Sequence, residues 1–155
     1  MFTLRKFVRS GGQTLPYETQ RQRVQDGSAK VRAKLAARDD VRPEILYYLA
    51  EDQVPAVREA VARNRATPLQ ADVILSRDHA DSVRCILADK IARLMPEMDA
   101  DEQVKVRELT RSVLETLAAD HLTEVRAIIA EHLKHADNVP PEIVRRLAAD
   151  VEHVV

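Results

Sequence analysis

Apolar residues return along most of this chain at the spacing of one helical face. Val57 and Val61, then Val83, Leu87 and Ile91, then Val125, Ile129 and Leu133 follow the 3.6-residue period of helices and not the two-residue alternation of strands. The pattern is itself repeated. Val-Arg pairs stand at Val31-Arg32, Val57-Arg58, Val83-Arg84 and Val125-Arg126, separated by 26, 26 and 42 residues. Each arginine is preceded, six positions earlier, by an aspartate: Asp26, Asp52, Asp78 and Asp120. A period of this size is the mark of stacked helical units, each of which buries its apolar face only against a neighbour.

Each unit reads as a helical hairpin. Val31, Val57, Val83 and Val125 open the inward faces of the first helices. The second helices begin at recognisable start signals: Pro43-Glu44, Thr67-Pro68 with Gln70 as a capping box, Asp99 with Glu102, and Pro140-Pro141-Glu142. They close on similar phrases at Leu49, Leu75, Leu117 and Leu147, each leading to an Asp within three residues. The third unit is longer by 16 residues, which predicts a helix over about 81–94, a break at Met95-Pro96 and a long helix over about 99–119. A short helix over about 17–25, with Tyr17 and Val24 turned inward, is expected to cover the first unit. Residues 1–13 have no counterpart in the repeat and are expected to form a basic, mobile segment ahead of one domain spanning 14–155.

The phrases LAEDQVPAVREAVARNRATPLQADVILSRD (residues 49–78) and VRCILADKIARLMPEM (residues 83–98) carry a resemblance. With the Asp and Val-Arg register, they resemble helical repeats of the HEAT and leucine-rich-repeat-variant types, and within these the bacterial family called domain of unknown function 2336. The resemblance covers about residues 17–155. It implies an all-α fold, a right-handed α-solenoid of HEAT-like hairpins with the third hairpin lengthened, and it implies no reaction. Family members usually continue past the point where this chain stops, so either the native chain is expected to continue past Val155 or this end is expected to pack against another molecule. HEAT proteins carry an Asp/Arg ladder from unit to unit. An arginine early in a helix opposes the macrodipole and calls for a nearby carboxylate, so Asp26/Arg32, Asp52/Arg58, Asp78/Arg84 and Asp120/Arg126 are expected to form a structural ladder.

Composition narrows the function. With three glycines, no phosphate-binding glycine loop is present. The single Cys85 fits a reducing compartment and a packing role, and with no run near the roughly 18 apolar residues of a membrane span, a cytoplasmic protein is expected. The net charge of −1 hides a polarity: residues 1–38 carry nine basic and two acidic side chains, and the rest is correspondingly acidic. His132 and His135 share a helical face, but no third ligand accompanies them at zinc spacing, so a solvated helix end is the reading and no metal or cofactor is expected. His79 and His121, each following a ladder aspartate, read as turn residues. No nucleophile, base and orienting group come together as a catalytic set.

One set of positions varies in a way a core does not tolerate. The two residues before each closing leucine are Tyr47-Tyr48, Val73-Ile74, Glu115-Thr116 and Arg145-Arg146. Second helices commonly line the binding face of a solenoid, so Tyr47, Tyr48, Val73, Ile74, Arg145 and Arg146 are candidates for contact with another protein. The leading expectation is a non-enzymatic protein-protein interaction module, a scaffold or regulator. The alternative is binding of nucleic acid or an anionic surface through Arg5, Lys6, Arg9, Arg21, Arg23, Lys30 and Lys34. At the far end, Val151, Val154 and Val155 begin a fifth unit after Asp150 without completing it, which predicts an uncapped edge open to self-association.

Overall fold

The computed structural model describes residues 14–94, 104–134 and 139–152. Among them the chain forms nine α-helices and no strand: α1 (Tyr17–Asp26), α2 (Ala29–Ala36), α3 (Pro43–Leu49), α4 (Pro55–Arg63), α5 (Leu69–Leu75), α6 (Asp81–Leu94), α7 (Val104–Ala118), α8 (Thr123–Leu133) and α9 (Pro141–Glu152). Helices α2, α4, α6 and α8 touch in succession as one row, and α3, α5, α7 and α9 as a second. The two helices of each hairpin also touch each other, and α1 packs on α2 and α3. The third hairpin is the long one, with helices of 14 and 15 residues against 9 and 7 in the second. Its connection, residues 95–103, with Met95-Pro96 and Asp99, lies outside the described residues.

The apolar period places the core. Leu35, Leu46, Leu49, Leu75, Leu87, Ile91, Leu114, Leu117 and Ile129 are wholly buried between the rows. Each contributes about 1.5–3 kcal/mol by leaving water. Val57, Val83 and Val125 are also fully buried, as the repeat requires. Pro43 and Pro141 open α3 and α9, where the missing amide costs nothing, and Glu44 and Glu142 sit in the first turns.

Four expectations need correction. Val31 is 37% exposed: it stands in the first hairpin, where the single helix α1 takes the place of a preceding hairpin. A Cβ on Gly27 would stand 2.1 Å from the Arg23 carbonyl oxygen and 2.8 Å from Val31 Cγ1, so only glycine admits this approach. Tyr17 is 42% exposed, whereas Val24 is half-buried against the core, and among the described residues Gln20 is the fully buried side chain of α1. Its amide donates to the Leu15 and Asp40 carbonyls (2.9 and 3.2 Å) and accepts from the Arg42 amide (3.0 Å), serving loop groups that a tyrosine ring would leave unpaired. The Thr67 capping box does not form: the hydroxyl donates to the Val61 carbonyl at 2.7 Å, closing the preceding helix instead. Finally, α9 continues through Asp150, where α3, α5 and α7 have already given way to a turn.

Candidate functional site

The Asp and Arg positions do form a ladder, with a register different from the expected one. Arg32, Arg58 and Arg84 each reach the aspartate of the following unit. Arg32 donates from Nε and Nη2 to Asp52 (2.6 and 3.0 Å), Arg58 to Asp78 (2.6 and 2.9 Å) and Arg84 to Asp120 (2.6 and 3.1 Å). To its own unit the arginine turns Nη1, which donates to the backbone carbonyl of Asp52, Asp78 or Asp120 for Arg58, Arg84 and Arg126, and Nη2 adds Asp81 for Arg84 and Thr123 for Arg126. In the first unit Gly27 supplies that carbonyl to Arg32, and the side chain of Asp26 lies outside the described residues. Each rung thus ties a turn to the next helix and one hairpin to the next. The forked guanidinium makes this possible, since a lysine offers no planar pair of donors.

Each ladder carboxylate also accepts the amide two residues on, Val54, Ala80 or Leu122, at 2.8 to 2.9 Å, and so shapes the turn before the next helix. Burial pushes these carboxyls up. The arginine's hydrogen bonds, the turn amide and the nearby positive charge outweigh it, and Asp52, Asp78 and Asp120 titrate below the ordinary 3.8. Their contribution to stability is therefore present above that value and is lost as the pH falls beneath it.

A second ion pair was not anticipated. Lys90 on α6 donates to Asp72 on α5 at 2.6 Å, and both side chains are almost entirely buried. The ammonium also approaches the Asn64 carbonyl at 3.4 Å. Asn64 in turn donates from its side chain to the Ala36 and Arg38 carbonyls at 2.6 and 2.8 Å, stitching the turn after α4 to the end of α2. Burial raises the Asp72 carboxyl to about 6 despite Lys90, and burial lowers the Lys90 ammonium despite Asp72. Asp72 stands at the position that Leu46 and Leu114 fill in the neighbouring second helices, counted from the closing leucines, and that substitution was the available signal.

The variable positions divide. Tyr47 and Tyr48 on α3 are 44% and 66% exposed, and Val73 and Ile74 on the adjoining α5 are half-buried. All four lie on the touching pair α3 and α5. Arg145 and Arg146, both exposed on α9, do not join it, because α7 stands between, presenting Glu115 and Thr116. The polyanion candidates divide as well. Arg5, Lys6 and Arg9 lie outside the described residues. Lys30 and Lys34 are exposed one turn apart on α2, whereas Arg21 and Arg23, two residues apart on α1, cannot share a face, and Arg21 pairs with Glu18 at 3.5 Å.

Cys85 is half-buried, and burial with the charge of Glu124 raises its thiol against the pull of Arg84, the opposite of what a nucleophile needs. His132 contacts Asp89 at 3.1 Å, while His135 lies outside the described residues. Among the described residues no helix is long and apolar enough to cross a membrane. No protein family, curated protein or solved structure matches the chain.

Proposed function

We propose that this chain is a non-enzymatic protein-binding module of the cytoplasm, a scaffold or regulator. In this reading its two helical rows are a right-handed solenoid of HEAT-like hairpins akin to the domain of unknown function 2336 family. The observation that carries the proposal is the tyrosine strip. Two consecutive tyrosines stand open to solvent on α3, a helix that touches the one carrying Val73 and Ile74, in a chain that has three tyrosines and no tryptophan. Tyrosine offers large contact area at low entropic cost and is enriched where partners bind most tightly. The ladder ties one hairpin to the next, and a rigid recognition face requires such fixed register.

Tyr47→Ala and Tyr48→Ala should each change folding stability by less than about 1 kcal/mol. In affinity capture from native cytoplasm, quantified by mass spectrometry, proteins retained by the wild type should be lost from both variants. A stability loss of about 2–5 kcal/mol would place the tyrosines in the core and remove the proposal. Identical captured sets for wild type and variants would remove it equally.

A further inference from the structure

On the opposite row, the end of α4 and the outer sides of α6 and α8 enclose a groove of about 890 Å³. Its floor is aliphatic, from Ile86, Cys85 and Ile128, all half-buried. Its rim is cationic, from Arg63, Arg65 and Arg93, all exposed. Arg63 has no ion pair among the described residues. Arg93 is oriented by Asp89 at 2.9 Å, and Asp89 is the groove's acidic side chain. Lys90 also borders the space, but its charge is spent on Asp72. The site therefore combines an apolar floor with a surplus of positive charge above it.

We propose that this groove binds a short acidic peptide segment carrying an apolar anchor, supplied by a partner protein. The anchor lies on Ile86 and Ile128, and flanking carboxylates meet Arg63 and Arg93, whose planar forks suit them. The volume lies within the range of sites that enclose a few side chains. Two features select a peptide over a nucleic acid. Glu124, exposed on α8 and near enough to Cys85 to raise its thiol, repels a backbone that must carry charge onward, whereas a peptide can place neutral residues there. The floor also has no aromatic ring on which a base could stack.

The test is fluorescence anisotropy with a labelled peptide in which glutamates flank a leucine-phenylalanine pair. Binding in the micromolar range is expected, weakening about tenfold for Arg63→Glu and about tenfold for Arg93→Glu. Both are surface substitutions, and unchanged thermal unfolding checks that the fold persists. Tyr48→Ala, on the other row, should leave this binding intact even if the tyrosine strip proves to have no partner. Replacing the peptide's glutamates by lysines, or its central pair by glycine-serine, should abolish binding. The proposal is overturned if the peptide fails to bind, if charge reversal at Arg63 and Arg93 has no effect, or if the glycine-serine peptide binds equally. It is also overturned if an oligonucleotide of equal charge binds as well, which would make the rim a general polyanion surface. Binding that emerges only when Glu97, Asp99, Asp101 and Glu102 are changed to glutamine would assign the groove to this chain itself and likewise overturn it.

Discussion

Arg84→Met should destabilise the fold by about 3–5 kcal/mol, the loss typical of a buried ion pair deprived of one partner. Arg84 is 4% exposed, and it satisfies the Asp120 carboxylate twice, the Asp78 carbonyl at 2.7 Å and Asp81 at 2.7 Å. Methionine fills much of the same space but leaves Asp120 charged and buried, with the Leu122 amide and the exposed His121 ring at 3.5 Å as its remaining partners. For a chain of this size the expected fall in melting temperature is roughly 6–20 °C. The same change should cost less at Arg58 and least at Arg32, because the arginine side chain is 14% exposed at the former and 21% at the latter, against 5% at Arg84. Urea unfolding of the three variants gives the order directly.

A second substitution separates the ion pair from simple packing. Asp120→Asn keeps an oxygen for the Leu122 amide while removing the charge, so Arg84→Met with Asp120→Asn should recover part of the loss. Arg84→Lys should recover less than its retained charge suggests, since one ammonium cannot make the forked contact and reach the Asp78 carbonyl together. A cost under about 1 kcal/mol for Arg84→Met, within the range of exposed pairs, would show that the ladder does not hold the units in register.

The ladder also marks how far a sequence of this kind can be read. Period and residue type identified its members, because an aspartate and an arginine that return together in every unit must answer a structural need common to all units. The pairing was not legible. A carboxylate six residues before the arginine and another 20 or 36 residues after it are both brought close by stacking, and only the three-dimensional offset between hairpins decides between them. The buried faces of α4, α6 and α8 were legible from periodicity for the same reason. Local reasoning failed where a polar group had a distant obligation. Gln20 carries no mark in the sequence and is buried because three loop groups need it; Thr67 reads as a helix cap and instead serves the helix before it. The tyrosine strip was found by its variation between units, whereas its separation from Arg145 and Arg146 depended on the breadth of the third hairpin. The groove on the other row left no linear trace, since its rim and floor come from three helices.

Asp72 and Lys90 yield an expected result of similar size and opposite character. Either charge alone is a liability in this interior, so Lys90→Met and Asp72→Leu should each cost about 3–5 kcal/mol near neutral pH. The double variant restores the apolar pattern of Leu46 and Leu114, and should be as stable as the wild type or more stable by about 1–4 kcal/mol. The two single variants are further distinguished by pH. In Lys90→Met the isolated carboxyl takes up a proton on folding, its folded pKa lying above the ordinary 3.8 by more than in the wild type, where it is already about 6. A raised carboxyl contributes stability in full below its unfolded value and loses it as the pH rises through the folded one, so this variant should go on weakening, relative to wild type, as the pH rises above about 6. In Asp72→Leu the isolated ammonium, which burial drives below its ordinary 10.5, must shed its proton to fold. That variant should strengthen relative to wild type as the pH rises over the same range. Chemical denaturation across this range therefore gives difference curves of opposite slope for the two single variants. For the double variant the difference loses whatever dependence the pair itself imposes. Parallel, flat curves for both single variants would mean that water reaches the pair, and the Asp72 and Lys90 charges would then owe nothing to burial.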